Sequence, residues 1–277
     1  MTVETQMSVG QLRLMRITDV SDACELSAAA GWNQTSEDWK MLLAVAPEGC
    51  FGIEADGRLV STTTLVAYEQ RLAWIGMVLT LPSHRGRGHA RRLLEYALNR
   101  AATLGIETLK LDATEQGKPL YESTGFIAEQ PIERWSRPGM ASLLETSGSR
   151  TGRSFPWLDH DAFGADRSML LQHLAARSTV LEKPDGFLFT RAGRITSYLG
   201  PCVASDASVA RALIAEFTGA HPDVSWSWDL LPGNRDAALL APEFGFTRQR
   251  SLTRMARGKP LRGEDKRVFA IAGFELG

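Results

Sequence analysis

The stretch "AWIGMVLTLPSHRGRGHARRLLEYALNRAATL", residues 73–104, constrains the fold of this chain most. Residues 71–81 form a mostly apolar run that reads as a strand buried on both faces. Gly86 and Gly88 follow, set among Arg85, Arg87, Arg91 and Arg92. Ala90, Leu93, Leu94, Ala97, Leu98, Ala101 and Leu104 then recur at helical spacing until Gly105 stops the helix. A strand, a glycine loop and a helix in this order make an anion site. The first amides of a helix lack intrahelical acceptors, and the helix dipole favours negative charge there. Glycines let the backbone approach a phosphate with no Cβ in the way, and arginines add charge-assisted hydrogen bonds. The geometry suits a pyrophosphate.

The arginine cluster is local. The chain's 277 residues include 31 basic and 32 acidic ones, a formal net charge of −1, and no aromatic platform interleaves with the arginines. Nucleic acid is therefore not an expected partner. Cys24, Cys50 and Cys202 lie far apart in no metal-ligand spacing, so neither a disulfide framework nor a metal site is expected. The N-terminus has no apolar signal core, and no apolar run reaches the ~18 residues of a membrane span. A soluble, cytoplasmic protein is expected, as monomer or homodimer.

Along the chain, 12–18 reads as a strand, followed by a helix capped by Asp19 or Ser21. Residues 35–45 read as a helix with a capping-box start. Residues 50–68 read as two strands joined at Asp56-Gly57, a hairpin signal. Residues 108–114 read as a strand, 118–125 as a short helix and 126–137 as a returning strand. From 137 to 156 the chain is rich in Gly, Ser, Pro and Arg, which marks a boundary. The organisation is a first domain over 1–137, a linker over 138–156 and a second domain over 157–277. The second half reads as a worn copy of the first. "SYLGPCVASDASVARALI" (197–214) echoes 73–94 without the Arg/Gly loop, 235–257 echoes 118–137, and 185–200 echoes 50–76.

Three phosphate loops compete for 85–90. A P-loop requires Gly-Lys-Ser/Thr, which is absent. A dinucleotide fingerprint requires a third glycine. The pattern [Arg/Gln]-x-x-Gly-x-[Gly/Ala] is met at every fixed position by Arg85-Gly86-Arg87-Gly88-His89-Ala90. With "PLYESTGF" (119–126) at the right distance, the first half resembles the GNAT superfamily of N-acetyltransferases. The resemblance implies an α/β (α+β) fold of tandem GNAT-like domains, each a mixed, mainly antiparallel twisted sheet flanked by helices. It implies acetyl-CoA as cosubstrate. Met77, Val78 and Leu79 would bond its pantetheine arm through their backbones, and the amides of Gly86, Arg87, Gly88, His89, Ala90 and Arg91 would hold the pyrophosphate beside Arg85. The backbone near Val78 would polarise the thioester carbonyl. Tyr121 would protonate the departing thiolate. Some GNAT enzymes carry a glutamate on the fourth strand, but "AWIGMVL" has no acid. Asp112 is then a candidate base toward the acceptor amine, or a strand-end residue binding backbone. His84 and His89 are given no catalytic role.

The second half resembles the degenerate second domain of a tandem GNAT subgroup, through "DHDAFGADRSMLL" (159–171), "YLGPCVA" (198–204) and "GFTRQRSLTRMARG" (245–258). The resemblance implies that this half covers the acceptor and binds no CoA. Asp161 and Asp166, with Arg167, are candidates for acceptor binding, or for helix capping and salt bridging. Trp32 is an acceptor-side candidate or a core residue, and Trp226 and Trp228 read as core. The implied activity is direct acetyl transfer to a primary amine of a small molecule. The alternatives are acetylation of a protein lysine or N-terminus, and a non-catalytic acyl-CoA sensor.

Overall fold

The structure is a computed structural model that describes residues 10–139 and 156–277. The linker read over 138–156 therefore falls, apart from its ends, outside the described residues. The first half contains β1 (Gln11–Leu14), α1 (Val20–Ala29), α2 (Ser36–Val45), β2 (Cys50–Ala55), β3 (Arg58–Tyr68), β4 (Leu72–Thr80), α3 (His89–Thr103), β5 (Thr108–Ala113), α4 (Lys118–Glu122) and β6 (Ile127–Arg137). The second contains α5 (Pro156–Phe163), α6 (Ser168–Ala175), β7 (Thr179–Lys183), β8 (Gly186–Arg191), β9 (Ser197–Ala204), α7 (Ala207–Ala220), β10 (Trp226–Leu230), α8 (Arg235–Glu243), β11 (Thr247–Gly258) and β12 (Val268–Ala270). No helix among the described residues is long and apolar enough to cross a membrane.

Local chemistry accounts for several elements. Asp56 and Gly57 both take positive φ, 53° and 74°, as a two-residue hairpin turn requires. Thr35 and Asp38 form the capping box of α2: Asp38 N donates to Thr35 Oγ1 at 3.2 Å, and Thr35 N donates to Asp38 Oδ2 at 2.7 Å. The first strand is shorter than the sequence pattern suggests, because residues 17–19 turn into a 3-10 helix.

The strands make one continuous sheet in the order β1-β2-β3-β4-β5-β11-β6-β10-β9-β8-β7, with β12 paired to β9. The halves thus exchange their long final strands. β5 pairs with β11 of the second half, and β6 of the first half lies between β11 and β10. A shared core strengthens the join, packing Trp39 and Trp74 in one cluster with Leu158, Leu170, Leu174 and Ile271. The boundary at 137 is a boundary of the chain and not of the sheet.

Each half contains a parallel pair that separates like a V. β4 and β5 pair only from Leu72 to Trp74 against Thr108 to Lys110. β9 and β10 pair only from Ser197 to Leu199 against Trp226 to Trp228. In the second half, β12 fills the gap. It pairs with Val203 and Cys202 on one side, and Ile271 N donates to Asp229 O at 2.9 Å on the other. Trp226 and Trp228 are fully buried beside it, and Trp228 Nε1 donates to Phe269 O at 2.7 Å. The first half's V stays open.

Candidate active site

The open V is a cleft of about 440 Å³. Its β4 wall is shaped by a bulge. Thr62 pairs with Leu79 and Thr64 with Gly76, so Met77 and Val78 together oppose Thr63. Met77 takes φ 48°, a costly value for a side chain of its size. Thr62 Oγ1 donates to Met77 O at 2.8 Å, and Ser61 Oγ donates to Leu79 O at 2.7 Å, which pins the bulged backbone from the β3 side. Beyond Trp74, the β5-facing edge of β4 is left without a strand partner. Buried backbone groups require partners, and an extended amide-bearing chain laid in the cleft supplies them.

At one end of the cleft lie Thr80, Arg85 and Ala90. Gly86 and Gly88 have φ of 76° and 79°, and a Cβ on either would meet nothing within 4 Å. Packing therefore does not demand glycine there; the turn does, and the open space is where a ligand approaches. The first intrahelical bond runs from Arg92 N to Gly88 O, so the amides of His89, Ala90 and Arg91 precede it and point out of the helix end. Arg85 and Arg87 are held over the loop by Thr80 O (3.3 Å) and Ser83 O (2.9 Å). Burial, then His84, Arg87 and Arg92, lower the pKa of the His89 imidazole, which favours its neutral form. These features fit a pyrophosphate. The equivalent end of the second half does not. There Asp206 caps α7, accepting from Ser208 N at 2.8 Å and Val209 N at 3.1 Å. Those bonds, with the Ser208 and Ser205 hydroxyls, bring its pKa down to about 2, so a negative charge already occupies that helix start.

Tyr121 borders the cleft, close to Gly117 and edge-on to Phe126. Burial pushes its phenol well above the usual value, so it keeps its proton. Asp112 also borders the cleft, but Arg254 takes both of its carboxylate oxygens, at 2.9 and 3.0 Å. The pair ties β5 to β11 across the strand exchange, so the carboxylate engages a side chain and not the backbone that the strand-end alternative named.

The far end is built by Trp32, Asn33, Gln34, Arg134, Arg250, Phe274 and Glu275. Trp32 borders the cleft and also packs against the core, so both alternatives for it stay open. Asn33 is clamped by the second half: its Nδ2 donates to Thr196 O at 2.9 Å, and its Oδ1 accepts from Ile195 N at 2.6 Å. Asp161 and Asp166 do not reach the cleft. Asp161 is half-exposed, 3.6 Å from Arg267, and Asp166 accepts from Ser168 N at 2.8 Å at the start of α6. That bond lowers its pKa, and the reading of both as acceptor ligands is corrected to capping and salt bridging.

Sequence reasoning missed Glu275. The segment after β12 crosses the face of β4. Trp74 Nε1 donates to Phe274 O (2.8 Å), Tyr68 Oη to Leu276 O (2.7 Å) and Arg191 to Ala272 O (2.8 Å). A Cβ on Gly76 would lie 2.8–2.9 Å from Glu275 backbone and Cβ atoms, so only glycine admits this crossing. The segment thus sets Glu275 in the cleft lining against a strand that has no acid of its own, with its carboxylate close to Gly273. Burial raises the Glu275 pKa, opposed by Arg191 and by a hydrogen bond from Gln34. Gly76, a lone glycine in an apolar strand, was the available signal of a close backbone approach.

A sequence model of the Acetyltransferase (GNAT) family matches residues 17–126, and a second Acetyltransferase (GNAT) domain model matches 157–270. The chain is 28% identical over 221 residues to the uncharacterized N-acetyltransferase YitH of Bacillus subtilis, covering 74% of this chain and 77% of that one. An inferred acetyltransferase from Pyrococcus horikoshii superposes with a TM-score of 0.85 at 21% identity, over 100% of this chain and 99% of that one. A tandem GNAT protein from the clavulanic acid biosynthesis pathway superposes at 0.60 and 14% identity, over 90% and 99%. With one family matched in both halves, and one half open and the other plugged, this chain belongs to the GNAT acetyltransferase family as a tandem member, an acyltransferase of the acetyl-CoA-using class.

Proposed function

We propose that the protein transfers an acetyl group from acetyl-CoA to the primary amine of a small molecule, by direct attack in a ternary complex. The observation that carries this reading is the single through-going cleft. One end is an anion cradle at α3, and the other is walled by residues of both halves. Asn33, held by Thr196 and Ile195, and the segment crossing β4 narrow this end, which favours a small acceptor over a protein segment.

Acetyl-CoA supplies an activated thioester. The residues supply the rest. The amides of 86–91 and Arg85 hold the pyrophosphate, and the Met77–Leu79 edge orients the arm above them. The backbone at Val78 faces the thioester carbonyl. Glu275 takes the proton from the acceptor ammonium, so that a neutral amine attacks. Tyr121 gives its proton to the departing thiolate and regains one, directly or through solvent, from the acylated nitrogen as the tetrahedral adduct collapses to amide. Asp112 stays in its pair with Arg254.

Calorimetric titration with acetyl-CoA is expected to give one site per chain, since α7 is capped and the second V is filled; two sites would refute the assignment. Thiol release across a panel of small amines is expected with the native protein. Tyr121→Phe should lower kcat on the order of 10²-fold with little change in acetyl-CoA affinity. Acetyl-CoA binding without turnover on any amine would leave a sensor.

A further inference from the structure

At the far end of the cleft one of two adjacent guanidinium groups has no ion-pair partner among the described residues. Arg134 on β6 and Arg250 on β11 stand directly opposite one another in the antiparallel register. Both border the cleft. Like charges in that position destabilise a sheet. One of them is neutralised: Arg134 makes a bidentate pair with Asp229, at 2.7 and 2.5 Å. Arg250 has no acidic partner among the described residues.

The sheet is irregular at the point that creates this arrangement. Arg248 pairs with Trp135 and Arg250 with Arg134, so Gln249 is an extra residue, a bulge. A bulge changes which face the following side chain takes. Here it sends Arg248 to Glu133, at 3.0 Å, and brings Arg250 to the Arg134 side. The bulge gives up regular pairing and sets two guanidinium groups opposite each other. An anion at Arg250 would offset their repulsion.

The position of Arg250 says which anion. The guanidinium lies over the Phe274 ring, 5.4 Å from its centroid, and Phe274 precedes Glu275. This is the acceptor end. The phosphates of the cosubstrate belong at Arg85 and Ala90, at the opposite end. The stacked guanidinium is also oriented, which suits a planar, bidentate partner.

We infer that the acceptor carries a carboxylate as well as its amine, and that Arg250 binds the carboxylate while the amine faces Glu275. The acceptor class is an amino acid or a similar amino-carboxylate. This inference rests on the proposed acetyl transfer to small amines.

The test uses the full chain and matched pairs of acceptors: amino acids with side chains or chain lengths of several kinds, each beside its methyl ester and its carboxylate-free amine. Turnover is followed by thiol release. The native protein is expected to prefer the free carboxylate by about tenfold to a hundredfold in kcat/KM, the range of a hydrogen-bonded charge. Arg250→Ala should collapse that preference to within about threefold, mainly through KM, and Arg250→Lys should restore part of it. KM for acetyl-CoA should not follow these changes. Equal turnover of acid and ester by the native protein, or an Arg250→Ala preference equal to the native one, overturns the inference and leaves the acetyl transfer standing. A rise in KM for acetyl-CoA that matches the loss on the acceptor overturns it too, by moving Arg250 to the cosubstrate. No turnover of any acid, ester or amine by protein that binds acetyl-CoA overturns both.

Discussion

Glu275→Gln should lower kcat by about 10²- to 10⁴-fold, the range of a lost general base, while acetyl-CoA still binds at one site. Glutamine keeps the shape of the side chain and its hydrogen bond with Gln34 but cannot take a proton. The pH profile carries the sharper signature. Burial raises the Glu275 pKa above its ordinary 4.5. Below that raised value the carboxyl is protonated and cannot act as a base, so kcat/KM should rise with pH through an acid limb displaced upward from the usual carboxylate range. In Glu275→Gln that limb should vanish, leaving whatever slope the acceptor amine imposes. The role fails if the variant keeps the limb. Asp112→Asn should behave oppositely, keeping the limb while losing stability.

Arg254→Leu should cost about 3–5 kcal/mol of folding stability, the usual penalty for leaving a buried charge without its partner. The Asp112 side chain is fully buried and that of Arg254 nearly so, with the guanidinium also 4.6 Å from the Trp74 ring centroid. Denaturant midpoints measure the loss. The double replacement Asp112→Leu/Arg254→Leu should be markedly more stable than Arg254→Leu alone, since no lone charge remains. An Arg254→Leu protein with an unchanged midpoint would show that the pair does not hold β5 to β11.

Much of the architecture was legible because it is local. The glycine loop between a strand and a helix, the Asp56-Gly57 turn and the Thr35 capping box each depend on residues a few positions apart. The echo between the halves was legible for the same reason, and β9, α7 and β10 repeat β4, α3 and β5 in order. Strand partners were not. β6 and β11 are both long and largely polar, and nothing in either pattern tells which neighbour the strand takes. The exchange decides what Asp112 faces, so a strand acid that looks free in sequence meets Arg254 from the far half. Glu275 was hidden more deeply, because its place is set by a fold-wide crossing that only Gly76 hints at. Asp161 and Asp166 misled in the other direction. Acids are conspicuous in sequence wherever they fall, and these satisfy amides and arginines beside them.

The exchanged strands also set an order of events during synthesis. When residues 1–137 leave the ribosome, β5 shows an open edge, and β6 has no neighbour until β10 and β11 follow. The glycine loop and α3 lie in that nascent piece, whereas the far wall of the cleft and the carboxylate proposed to accept the amine's proton do not. On the proposed mechanism, acetyl transfer therefore requires residues 247–277. A fragment ending at 137 is expected to keep the loop and lack the transfer.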